Sequence, residues 1–451
     1  MFENIIGQEE IVRTLRSELP QGRFPRSSLF FGPPYAGKLS TALEAARALT
    51  CARGSAEWSC GCPSCGMQKE LLHPHTVLLG PRYADIEIAA CADALMRSRK
   101  PATLFLFLRA VRKLTRRFDP SILDTDDARL KGVQEKVARI EEALAECAPG
   151  KALPSERELG DILERIISAA APVAEQVRGD SITIGQVRRL AGWAHLTASG
   201  SRKVAVIENA DRMQDSARNA LLKLLEEPPE AVHLILLSSR RAAITPTILS
   251  RLRPYPFAQR SAAEEREVME KIFRSETPGF ESLRAFFLAW REINPEKLSQ
   301  LARRFIDMVQ AAEPAAGDIG AQMAEILPER KAQRDRSSRE TGSAFLEELM
   351  ARFRDLLRGG RVNVDTLEQW NQAVREAHAR LETYNMNPSS ILEALFYRMR
   401  DASRQQGDAS RQQGDASRQQ GDASRQQGDG ARADNERRVS AGERARQEAG
   451  R

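Results

Sequence analysis

Residues 27–50, SSLFFGPPYAGKLSTALEAARALT, leave this chain few folds to choose from. A short buried-type strand enters a glycine loop, and the loop opens directly into a helix rich in Ala and Leu. That junction suits phosphate, because loop N–H groups and the positive end of the helix converge on one point. Gly32, Gly37 and Lys38 satisfy the spacing G-x-x-x-x-G-K, but Leu39 stands where a Ser or Thr hydroxyl would ligate magnesium. Ser40 does not repair the loss, since one residue further along is a rotation of about 100° around the helix. Pro33 and Pro34 stiffen the loop and withdraw backbone donors from it. The site is degenerate, fitted for weak phosphate contact rather than metal-assisted hydrolysis, so ATP binding is doubtful from sequence alone.

From 179 the same strand–helix rhythm returns. SITIGQVRRLAGWA reads as a strand and a helix, RKVAVIENA as a buried strand, DSARNALLKLLEEPP as a helix stopped by Pro228 and Pro229, and AVHLILLSS as another buried strand. Continuous apolar strands separated by helices imply a parallel sheet covered on both faces. Between them, 84–178 reads as a helical insertion, with Val133, Val137, Ile140 and Leu144 at helical spacing. It carries a basic cluster, Arg112, Lys113, Arg116 and Arg117, expected to be a solvated helix face, with a DNA- or partner-contacting arm as the alternative. Beyond about 257 only amphipathic helices are expected. Four perfect copies of DASRQQG then run from Asp401 to Gly428, too polar to bury a core and expected to be disordered.

The strand VAVIENA ends where a phosphate-loop ATPase places its acidic motif, one carboxylate holding magnesium and a neighbouring acid polarising water. Glu208 suits the first role. Asn209 follows it, and an amide can orient water but not take its proton; losing a general base costs about 10²- to 10⁴-fold in rate. Asp211 reads as a helix cap beyond the strand. With position 39 also altered, two separate lapses predict a chain without intrinsic ATPase activity.

Of six cysteines, four crowd into CARGSAEWSCGCPSC: Cys51, Cys60, Cys62 and Cys65. In a reducing compartment such a cluster favours metal over disulfides. Four thiolates suit a tetrahedral structural zinc, worth about 10–16 kcal/mol of apparent binding energy to local folding. Only Gly61 separates Cys60 from Cys62, a short spacing that puts one ligand in question, and His73 or His75 is the substitute should it not close. Cys91 and Cys147 read as ordinary buried thiols. The N-terminus lacks the basic flank and apolar run of a signal peptide, and no stretch approaches the ~20 apolar residues of a membrane span, so a cytoplasmic address is expected. The length of 451 residues suggests two to four domains, and a net charge of +6 spread over it argues little for nucleic acid.

Taken in order, FENIIGQEEIVRTL, LFFGPPYAGK, the cysteine cluster, VAVIENADRMQDSARNALLKLLEEPPEAVHLILLSS and ITPTILSRLRPYPF resemble the bacterial clamp-loader AAA+ subunits of DNA polymerase III. NALLKLLEEPP is characteristic of that family, and ENADRM is more similar to its delta-prime members than to gamma/tau, whose strand ends in Asp-Glu. LETYNMNPSSILEALFYRMR resembles the family's final collar helix. The insertion and the repeat tail lie outside the resemblance. The resemblance implies an α/β P-loop AAA+ domain over 1–256, with a zinc module at about 51–65 and the insertion at about 84–178. It further implies a helical lid over 257–295, a helical collar for oligomerisation over 296–400 and a disordered tail over 401–451.

The same resemblance matches Ser250, Arg251 and Leu252 to the family's Ser-Arg-Cys motif. Arg251 would then be an arginine finger acting in trans on the ATP of an adjacent gamma/tau subunit, a contact worth about 10³- to 10⁵-fold in turnover. The implied partners are gamma/tau and delta subunits, the sliding clamp and, through the assembly, primed DNA, with no membrane. The implied role is a non-motor subunit of the polymerase III holoenzyme in DNA replication. The alternative is an active gamma/tau-type ATPase using Lys38 and Glu208.

Overall fold

The computed structural model describes residues 1–82, 84–123, 132–177, 181–196, 202–275, 280–290, 294–311, 334–383 and 388–404. The chain divides into two compact units, Met1–Ile293 and Asn294–Arg451. In the first, five strands form one sheet: β1 (Ser27–Phe31), β2 (Thr76–Leu79), β3 (Lys203–Ile207), β4 (Val232–Ser238) and β5 (Arg253–Pro256). Their order is β2-β3-β4-β1-β5, and every neighbouring pair is parallel. Successive strand residues point to opposite faces. Phe30, Val206 and Ile235 therefore pack with α1 (Glu9–Glu18) and α2 (Lys38–Thr50). Leu29, Ile207 and Leu236 face the other way, and their cluster takes in residues of the helices 184–195 and 215–226. Both faces are apolar, which is why these strands read as continuous hydrophobic runs.

The sequence expected a strand in SITIG, but only a single parallel bridge forms there, Ile182 with Met213. Two strands went unread. β2 is four residues long, too short for periodicity to show. β5 holds Pro254 and Pro256, tolerable because it is an edge strand paired only with β1.

Helices α3 (Pro63–Lys69), α4 (Asp85–Ser98), α5 (Pro101–Thr115), α6 (Val133–Glu146) and α7 (Glu156–Val177) precede α8 (Ile184–His195), α9 (Asp215–Glu226) and α10 (Pro246–Leu249). They are followed by α11 (Ala262–Lys271) and α12 (Leu283–Ala289). Helices α4–α7 build a core of their own, with Leu95, Phe107, Leu108, Leu144 and Ile166 at its centre. The same cluster includes Val268, Met269 and Phe273 around α11 and Phe286 of α12. The segment 84–178 therefore shares its core with the helices of 257–290.

The second unit is helical among its described residues: α13 (Pro295–Gln310), α14 (Arg334–Arg358), α15 (Val364–Thr383) and α16 over 388–404. Phe305 meets Phe345 and Phe396 edge-on, and the buried Trp370 indole donates to the Met399 carbonyl at 2.8 Å. Residues 401–404 continue α16, while 405–451, including most of the repeat tail, lie outside the described residues. Among the described residues no helix is long and apolar enough to cross a membrane.

Candidate functional site

The glycine loop leaves the carboxyl end of β1, beside β4, and turns into α2 at Gly37, whose φ of +88° is open to glycine at little cost. This is the edge of an open parallel sheet where ligands commonly sit. Lys38 curls back onto its own loop, donating to the carbonyls of Gly32 at 2.7 Å and Pro33 at 2.6 Å. Burial pushes its ammonium down to about 8, although Glu208 and Asp211 pull the other way. Leu39 points into the core shared by α1, α2 and the sheet, so the position of the missing hydroxyl is part of the hydrophobic interior. Above the loop, Arg260 donates to the carbonyls of Ile6 and Tyr35, and its guanidinium lies against Gly37. The Tyr35 ring stacks on Phe287 of α12 at 5.5 Å.

At the end of β3, both oxygens of Glu208 are engaged. Arg82 binds Oε1 and Arg117 binds Oε2. Arg82 also bridges to Glu87, whose second oxygen receives Lys113 at 2.5 Å. Burial favours neutral Glu87, but Arg82 and Lys113 outweigh it and bring the carboxyl down to about 2. Arg117 further donates to the carbonyl of Gly80 at 2.5 Å. Gly80 (φ +106°) runs so close to β3 that an added Cβ would sit 2.1 Å from the Glu208 carbonyl oxygen. Asn209 turns its amide to the Pro81 carbonyl at 2.8 Å. Asp211 is not a helix cap. It accepts from Ser238 at 2.8 Å and Arg240 at 2.9 Å, tying the end of β3 to that of β4.

The basic cluster is not a solvated face. Arg112 pairs with Glu70 and Glu141, Lys113 with Glu87, Arg116 with Asp119, and Arg117 with Glu208. Arg109 reaches Glu44 of α2 at 3.2 Å. Apart from Asp119, the partners of these charges lie well away along the chain, so the sequence pointed the face outward. The face is a seam against α2, α3 and the ends of β2 and β3, and these paired groups offer no row of free cations to a phosphate backbone.

The cysteine module hangs on α2. Cys51, Cys60, Cys62 and Cys65 bring their Sγ atoms within 4.8 Å of one another, with Cys51 3.9 Å from Cys60 and 4.0 Å from Cys62. A tetrahedral zinc with Zn–S of about 2.3 Å sets sulfurs roughly 3.8 Å apart, so the donor set fits a metal. The one-residue gap closes because Cys62 caps α3, its sulfur accepting from the Cys65 N–H at 3.4 Å. Burial alone would raise Cys62; the N–H groups of Cys65 and Ala52 instead bring it to about 6, toward the thiolate that a metal needs.

No substitute histidine is required. His73 is buried and accepts from the His75 N–H at 3.2 Å, and desolvation holds it down at about 4. Arg47, buried beneath the module, donates to the carbonyls of Ala56 and Glu57, points one N–H at Cys65 Sγ and pairs with Glu44. This arginine escaped the sequence reading, since nothing local distinguishes it from other helical arginines.

Arg251 lies apart, just after α10. Its guanidinium pairs with Glu226 at 2.7 Å and donates to the Thr247 carbonyl at 2.7 Å, with a third of the side chain exposed. Leu252, at the position of the absent cysteine, is buried under the sheet.

A parallel α/β unit with a glycine loop at its strand ends, a four-cysteine module on the loop helix and a helical second unit define the class. Residues 7–103 and 144–261 match the model of the family described as DNA polymerase III, delta subunit, so the unmatched interior stretch, 104–143, is shorter than the insertion set apart from sequence. These matches support a clamp-loader-type subunit, similar to the delta-prime and gamma/tau subunits of DNA polymerase III.

It is 46% identical over 71 residues to DNA polymerase III subunit delta′ of Pseudomonas aeruginosa, covering 16% of this chain and 22% of that protein. It is 24% identical over 276 residues to the gamma/tau subunit of Mycobacterium tuberculosis, covering 61% of this chain and 32% of that one. The chain thus spans a third or less of the length of these curated relatives. A solved structure of a gamma subunit-related protein from Thermotoga maritima aligns with 60% of this chain and 92% of its own at 17% identity, with a TM-score of 0.24.

Proposed function

We propose that this chain is the delta-prime-type, non-hydrolysing subunit of the polymerase III clamp loader, acting in DNA replication in the cytoplasm. The observation that carries the reading is the state of the nucleotide site: Leu39 is core, Asn209 is turned to a backbone carbonyl, and Glu208 is spent on two arginines. A chain so arranged lends its machinery to a neighbour. Arg251 is the group it lends, a finger for the ATP of an adjacent gamma/tau subunit, where such a guanidinium is worth about 10³- to 10⁵-fold in turnover. The helices from 296 to 400 serve as the collar that assembles it with gamma/tau and delta. The assembly opens the sliding clamp and places it on primed DNA. The cysteine cluster holds a structural zinc.

Reconstitution with gamma/tau and delta tests this. Arg251→Ala is expected to cut the DNA-stimulated ATPase of the complex at least tenfold while leaving assembly intact; an unchanged rate removes the assignment. ATP turnover by the isolated chain that vanishes in Lys38→Ala would instead favour the gamma/tau-type reading.

A further inference from the structure

The glycine loop and the acid ending β3 are the parts with which this fold family holds a nucleotide and its magnesium ion, and the residues present do not fit that cation. We propose that Arg82 and Arg117 stand permanently in its place, so that Glu208 is the counter-ion of a built-in cationic lock and not a ligand waiting for metal. The inference rests on the reading of this chain as a non-hydrolysing subunit and gives its site a chemical state.

Both Glu208 oxygens are occupied, one by each guanidinium. Arg82 spans from Glu208 to Glu87, and Lys113 takes the remaining oxygen of Glu87. Three cations therefore face two carboxylates, and the surplus positive charge repels a dication where an ordinary acidic motif attracts one. Lys38 adds a further cation, facing both Glu208 and Asp211, and Asp211 is itself paired with Arg240. Nor is any oxygen donor supplied by the loop helix, because Leu39 replaces it. Arg117 and Lys113 both lie within 104–143, the stretch the family model does not match. Part of what the insertion contributes is thus a fixed internal charge at the strand end. Arg117 reaches past Glu208 to the Gly80 carbonyl, and so also joins the ends of β2 and β3.

The probe is Mn²⁺ alone, followed by its free paramagnetic signal on titration into the full-length chain with the cysteine cluster zinc-loaded. Wild type and Glu208→Gln are expected to take up the same Mn²⁺, because Glu208 offers it nothing. Arg82→Gln/Arg117→Gln is expected to gain one bound Mn²⁺ that the further change Glu208→Gln abolishes, as the freed Glu208 carboxylate and the Glu87 oxygen released by Arg82 become ligands. Mn²⁺ bound by wild type and lost in Glu208→Gln would overturn the proposal. So would a folded double variant, judged by circular dichroism, that gains no Mn²⁺. Should the double variant not fold, Arg82→Gln alone, which releases one oxygen of Glu208 and one of Glu87 together, is read in the same way. The readout is independent of turnover, so failure of the finger assignment at Arg251 would leave it standing, and the reverse also holds.

Discussion

Restoring the missing hydroxyl is the most direct challenge to the proposal that this site does not hydrolyse ATP, and Leu39→Thr is expected to damage the fold without creating an enzyme. Leu39 is 8% exposed and packs with Leu43, Leu78 and Phe257 in the core beneath α2. Truncating a buried leucine to alanine costs about 2–5 kcal/mol. Threonine returns part of the lost volume but brings a hydroxyl into apolar surroundings, at about 1–3 kcal/mol if it finds no acceptor. The carbonyl one helical turn back belongs to Tyr35, which already accepts from Arg260. These terms together place the loss at about 3 kcal/mol, to be read as a lowered urea midpoint with an unchanged slope. The same protein, and Leu39→Thr/Asn209→Asp, should show no ATP turnover, since Glu208 remains bound by Arg82 and Arg117 in both. A loss under about 1 kcal/mol would mean that Leu39 does not bear on the core. Turnover in the double variant would mean that the arginines release Glu208 when ATP arrives, which refutes a permanently occupied carboxylate.

Arg47→Met should cost about 3–5 kcal/mol, because it strips one partner from the fully buried Glu44 and leaves the Ala56 and Glu57 carbonyls without their donor; urea denaturation measures it, and a neutral result would mean that Arg109 alone satisfies Glu44. A strong chelator should remove one zinc per chain and open the module to trypsin at Arg53 and Lys69, with the sheet unchanged by circular dichroism; resistance to both would argue against a metal there. Glu87 titrates at about 2 in the fold against an ordinary 4.5, a depressed value, so the stability it adds is complete above about pH 4.5 and is lost as pH falls toward 2. The difference amounts to about 3 kcal/mol. Glu87→Gln should flatten that acid limb, and an unaltered limb would place the acid sensitivity elsewhere.

The parallel sheet was legible because burial on both faces leaves an unmistakable mark: LFF, VAVI and LILL, within β1, β3 and β4, are apolar without interruption. The cysteine cluster was legible because four like ligands within fifteen residues are rarely gathered except around a metal. What escaped notice has a common physical cause. β2 and β5 are four residues each, and their strand character comes from pairing with β3 and β1 rather than from their own residues. In the same way, the core shared by α4–α7 and α11–α12 joins segments separated by the strands β3, β4 and β5. Periodicity says that a helix has an apolar face and is silent about which partner covers it.

The basic cluster shows the same limit for charge, with a functional consequence. Sequence alone set Arg112, Lys113, Arg116 and Arg117 beside one another and suggested solvent or DNA, because isolated ammonium and guanidinium groups are costly to bury. Burial became affordable only through Glu70, Glu87, Glu141 and Glu208, acids drawn from four separate parts of the chain. Two of those acids, Glu87 and Glu208, sit at the end of the sheet where a nucleotide's cation belongs. The lapse at Leu39 and the pairing at Glu208 then support one another: without a hydroxyl there is no complete magnesium shell, and without magnesium Glu208 is a buried carboxylate in need of a counter-charge. An arginine from the insertion supplies it. With that pairing in place, a hydroxyl at position 39 is expected to gain nothing for catalysis by itself, because Glu208 stays bound to Arg82 and Arg117.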